Sequence, residues 1–207
     1  MIRYLFGLAA TAVLAGGCAS GVAFKDVDLS FAQVGLPMTH VAANPRAATL
    51  VVYIDGDYDG GKKAFTMVLE DGSLVGQVTP RSYFIATVPA GEHQLVTAVP
   101  ELAGYSPCMG ATHRFEAGKI YIMKNLTPMP LEEAERALSL YSHLEIDSAA
   151  GAAHLGDESE FWKECIPRAK QLEVDNAKYL ADNPGVFPTP PTAQSVALDH
   201  LDIPSPP

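Results

Sequence analysis

The chain has 207 residues, 14 Lys plus Arg against 24 Asp plus Glu, and a net charge of -10, with 48% hydrophobic residues. That apolar fraction supports a packed core, and the length favours one main domain. The acidity argues against nucleic-acid binding, which needs a basic surface to displace counterions, and against adhesion to anionic lipid through a polybasic patch.

Residues 1–17 read as a signal peptide: Arg3 is their only charge, and the apolar run is too short to span a bilayer comfortably. The run ends in Leu14-Ala15-Gly16-Gly17-Cys18, which resembles the bacterial lipobox. The resemblance implies cleavage before Cys18, acylation of that cysteine (the palmitate-bearing residue) and membrane attachment through its lipid. Ala19, where an Asp would resemble an inner-membrane retention signal, points to the outer membrane, facing the periplasm. Ala15 departs from the commoner Leu of the motif, and the competing reading is an ordinary signal peptide cut near Gly17 or Ser20. Cleavage removes Arg3, so the mature chain is slightly more acidic and depends on acyl chains for its anchorage.

Residues 18–46 read as a tether with one short strand around Ala32–Val34. Residues 47–125 read as the β domain. Thr49 to Ile54 is a β-branched apolar run of buried-strand length, and Phe65 to Leu69 follows. Asp71-Gly72 is a hairpin signal between that strand and Leu74–Val78. Ser82–Val88 and Gln94–Val99 flank a turn at Pro89–Glu92. Arg114–Phe115 and Ile120–Lys124 are predicted to form a last hairpin around Glu116–Lys119. Short strands separated by frequent turns predict a mainly β chain, a small antiparallel sandwich of immunoglobulin or PEGA-like kind with C-terminal α-helices.

Residues 126–183 read as a helical extension. Leu131, Ala134, Leu138, Tyr141 and Leu144 form one helical stripe, with Pro130 and three glutamates suited to its N-terminus. A second helical region is expected from Asp157, facing Phe161, Trp162 and Cys165 inward and kinked or split by Pro167. Residues 184–207 are proline-rich and read as a disordered tail.

The segments ATLVVYID, SLVGQVTPRSYFIATVPAGEHQL and EAGKIYIM, within residues 47–125, resemble a module of unknown function found in bacterial lipoproteins and related to PEGA-type β-sandwich domains. The resemblance implies a sandwich with Gly91 in a turn and Tyr83 and Phe84 in the sheet. It implies no catalytic residues.

With Cys18 assigned to lipid, Cys108 and Cys165 remain, and in an oxidising periplasm they most simply form a disulfide; the other reading is two buried thiols. Gly56 to Lys63 nearly spells a phosphate loop, but Lys63 stands where Ser or Thr should be, and Asp57 and Asp59 would repel phosphate. Asp55, Asp57 and Asp59 are weak candidates for a calcium site, lacking the closing glutamate, and the bland reading is a solvated acidic loop. The six histidines show no zinc-ligand spacing, and no cofactor is expected. The expected function is a lipid-anchored envelope protein acting as a non-catalytic binding or structural module, with an envelope protein or peptidoglycan as partner. The alternative is a periplasmic hydrolase using carboxylates assembled by the fold.

Overall fold

The structure, a computed structural model, describes residues 32–33, 38–54, 65–98, 108–145, 159–182, 198 and 200–204. It is mainly β, with twelve described strands: β1 Ala32–Gln33, β2 Met38–Ala42, β3 Ala48–Tyr53, β4 Phe65–Leu69, β5 Leu74–Val78, β6 Ser82–Val88, β7 Gly91–Ala98, β8 Cys108–Phe115, β9 Ile120–Lys124, β10 Thr127–Pro128, β11 Ser142–Glu145 and β12 His200–Pro204. Two helices are described, α1 Leu131–Leu138 and α2 Ser159–Asp182.

The sandwich consists of a sheet ordered β1-β11-β6-β3-β9-β10 and a second ordered β5-β4-β7-β8. The chain alternates between them: β3 in the first, the β4–β5 hairpin in the second, β6 back in the first, β7 and β8 in the second, and β9 in the first. The Asp71-Gly72 turn forms as expected, with Gly72 at φ +83°, a conformation that glycine adopts without a Cβ penalty. The turn at Thr79–Ser82 places Pro80 before Arg81 at φ +60°, in the manner of a type II turn, closed by Ser82 N–H donating to the Thr79 carbonyl.

Three apolar clusters explain the run-like strands. Between the sheets lie Leu50, Val52, Phe84 and Met123 from the first sheet against Phe65, Met67, Leu95 and Phe115 from the second. On the outer face of the first sheet, Val51, Tyr53, Tyr83 and Ile122 pack beneath α1 and β12. On the outer face of the second, Val68, Val96 and Ala98 pack beneath Trp162, Cys165 and Ala169 of α2. Strands β3 and β4 are therefore buried on both faces along their whole length, and their sequences read as continuous apolar runs instead of alternations.

Several expectations need correction. The first sheet is mixed, because β9 runs parallel to β3 and β11 parallel to β6. Residues 114–124 do not form a hairpin: β8 pairs with β7, β9 pairs with β3, and the Glu116–Lys119 turn carries the chain between sheets. The stripe Leu131–Leu144 is helical only to Leu138. The Ser139 hydroxyl donates to the Arg136 carbonyl, Leu140 and Tyr141 close tighter turns, and Ser142 N–H donates to the Arg81 carbonyl as β11 joins β6. Tyr141 still meets Tyr53 at 6.0 Å between ring centroids, whereas strand alternation turns the buried Leu144 to the face opposite His143, which stacks on Tyr83.

Pro167 does not split the second helix, which runs unbroken from Ser159 to Asp182. Pro167 and Lys163 face solvent, so the carbonyl freed by the missing N–H is open to water, while Trp162, Cys165 and Ala169 hold the opposite side against the sheet. The tether carries its expected short strand, as β1, and a second one, β2, while the stretch expected as a disordered tail supplies β12. β2 and β12 pair antiparallel from Met38↔Pro204 to Ala42↔His200 and cover the first sheet with Val41, Leu201 and Ile203.

Candidate functional site

A cleft of about 360 Å³ lies between α1 and β12. Its position follows from the layering, since both elements lie on the outer face of the first sheet. Leu138, Leu201 and Ile203 form an apolar floor. Glu135, Arg136, Ser139 and Asp202 form the rim. Strand alternation sends Leu201 and Ile203 into the core and leaves Asp202 exposed. Across the ribbon, His40 Nδ1 lies 2.7 Å from Asp202 Oδ1, a surface pair that engages one carboxylate oxygen. The Arg136 guanidinium forms no ion pair with the described residues.

A second polar constellation fastens α2 to the open edge of the second sheet. The Glu173 carboxylate accepts from Gln94 Nε2 at 2.7 Å, from the Thr112 backbone N–H at 2.7 Å and from the Thr112 hydroxyl at 3.0 Å. The Thr112 N–H belongs to β8, the last strand of that sheet, so Glu173 occupies a ladder position that would otherwise be unpaired. These hydrogen bonds to the charged form hold the Glu173 carboxyl below the usual carboxylate range, against the opposing effect of its partial burial. Neighbouring His113 donates from Nε2 to the Leu126 carbonyl at 2.9 Å, and burial pushes its imidazole below the ordinary histidine value. His93, opposite His113 in the β7–β8 register, lies 2.8 Å from Glu70, whose other oxygen accepts from Gln94 N–H.

No family model, no curated protein and no solved structure matches the chain.

Of the residues singled out in the sequence, Cys108 and Cys165 are joined in a disulfide, with Cα atoms 5.4 Å apart. It ties the start of β8 to α2, on the same face as Glu173. Cys18 and the loop carboxylates Asp55, Asp57 and Asp59 lie outside the described residues, as does Asp157. Among the described residues, no three His, Cys, Asp or Glu side chains gather as a metal site, and no helix is long and apolar enough to cross a membrane. Sequence reading missed Glu173 and the cleft. Glu173 stands in a run of charged and polar helix positions with nothing to mark it. The cleft had a faint signal, the alternation of Thr39 and Val41 and of Leu201 and Ile203, obscured by the surrounding prolines.

Proposed function

We propose that the chain is a lipid-anchored envelope protein, held to the outer membrane through Cys18, whose β-sandwich serves as a non-catalytic binding or structural module in the periplasm. The observation that carries this reading is the Cys108–Cys165 disulfide. Such a bridge persists in an oxidising compartment, which is where the segment ending at Cys18 would deliver the chain. The layering adds support. The space between the sheets is filled by Leu50, Phe84, Leu95 and Met123, each at most 2% exposed, so the sandwich interior is a core and ligands must be met on its outer surfaces. The resemblance to PEGA-like lipoprotein modules belongs to the same proposal. Metabolic labelling of the full chain with an alkyne fatty acid in a Gram-negative host tests the anchor. Label should be incorporated, be lost in Cys18→Ala, and follow the outer-membrane fraction. Unlabelled protein, or protein released in soluble form, overturns the reading.

A further inference from the structure

We propose that the α1–β12 cleft binds a small zwitterion with an apolar side chain, such as a hydrophobic amino acid or a short peptide bearing one. Three features of the cleft converge on that chemistry. Its volume, about 360 Å³, lies at the lower end of the roughly 300–1,000 Å³ typical of ligand pockets. Its floor is apolar and cannot shift easily, because Leu138 and Ile203 are each 1% exposed and belong to the cluster packed on the first sheet.

The rim carries both signs of charge on different elements. Arg136 comes from the last turn of α1 and has no carboxylate partner among the described residues, so its fork of N–H donors is available to a ligand carboxylate. Asp202, on β12, accepts from His40 through one oxygen only, and Glu135 stands beside Arg136 on α1. These carboxylates suit a ligand ammonium. An apolar molecule lacking charges would leave the guanidinium unused, and a simple anion would face Asp202 across the cleft and Glu135 beside it. A zwitterion satisfies both sides while its side chain covers the floor. The proposal concerns the outer face of the first sheet and does not depend on the lipid anchor.

The test is methyl NMR of the full chain in detergent, titrated with the dipeptide Leu-Leu and with its N-acetyl and C-terminal amide forms. Saturable shifts are expected at Leu138, Leu201 and Ile203 with the free dipeptide, and none at Leu95, which is buried between the sheets. Each capped form, and each of Arg136→Gln and Asp202→Asn, should bind about tenfold more weakly or worse. Arg136 and Asp202 are exposed, so both variants should keep the wild-type unfolding midpoint. Absence of saturable shifts up to about 10 mM, equal binding by the capped dipeptides, or wild-type affinity in both variants overturns the proposal.

Discussion

Replacing Glu173 by alanine tests how α2 is held. The substitution removes a carboxylate that accepts three hydrogen bonds, at 2.7, 2.7 and 3.0 Å. Hydrogen bonds to charged groups contribute roughly 1.5–3 kcal/mol each when sequestered. Thr112 is exposed, so water replaces Glu173 there at small cost. Gln94 is only 7% exposed and loses its side-chain acceptor, so its bond retains most of its value. Discounting the solvent-screened contacts leaves about 2 kcal/mol for the substitution, or about 4–8 °C in Tm for a domain of this size. The effect carries a pH signature. The folded carboxyl titrates below its ordinary value of 4.5, so its contribution is fully present above that value and is lost as pH falls through the lowered one. Urea unfolding of the oxidised wild type and Glu173→Ala across pH 7 to 3 should therefore show two curves that converge in acid. A difference below about 0.5 kcal/mol at pH 7, or one that persists unchanged to pH 3, refutes the assignment of Glu173 as the clasp.

Other perturbations address separate links in the same structure. Replacing Cys108 and Cys165 together by serine should destabilise the fold by about 4 kcal/mol, from the loop freed in the unfolded chain; an unfolding midpoint insensitive to reductant would contradict a closed bridge. Gly76→Ala would drive a Cβ into the Phe84 ring, in a core where Phe84 is 2% exposed. It should cost about 1–3 kcal/mol, and Phe84→Leu in the same chain should recover part of the loss, measured as coupling in a double-mutant cycle. His113 titrates below its ordinary 6.5 when folded because it is buried. The unfolded chain thus takes up the proton first, and stability should fall as pH drops below 6.5 toward the lowered value. His113→Gln should flatten that limb of the stability curve and, by removing a neighbouring cation, weaken the depression of the Glu173 carboxyl; an unchanged limb would remove His113 as its source.

The sandwich was legible because its strands carry their burial in their composition. Thr49–Ile54 and Phe65–Leu69 read as buried runs, and Asp71-Gly72 marked the hairpin between β4 and β5. Pairing across the longer connections was not legible. Glu116–Lys119 has the composition of a hairpin turn, yet the strands on either side join different sheets, since nothing local to a turn says whether its strands pair or part. The stripe from Leu131 to Leu144 failed in an instructive way. Its period matches the buried side of α1 at Ala134 and Leu138, but β6 offers an open strand edge beyond Leu138. Ladder hydrogen bonds there outweigh another turn of a short helix. Cys108 and Cys165 were paired in advance by elimination, whereas Glu173 lay beyond any local rule, because its partners are 61 and 79 residues away.

The disulfide and Glu173 act on one element, and their consequences are therefore coupled. Both fasten α2 across the outer face of the second sheet, where Trp162 and Ala169 cover Val68, Val96 and Ala98. Beyond Glu173 the helix has no buried residue through Asp182, so its docking rests on the stretch from Trp162 to Glu173. If reduction lets α2 detach, Glu173→Ala should cost less in the reduced protein than in the oxidised one, because the carboxylate would no longer be held against Thr112. If apolar packing alone keeps α2 in place, the cost should be the same in both states. Measuring the substitution in each redox state thus separates covalent restraint from packing as the cause of the helix's position. It also determines whether the edge of β8 stays covered when the bridge is open.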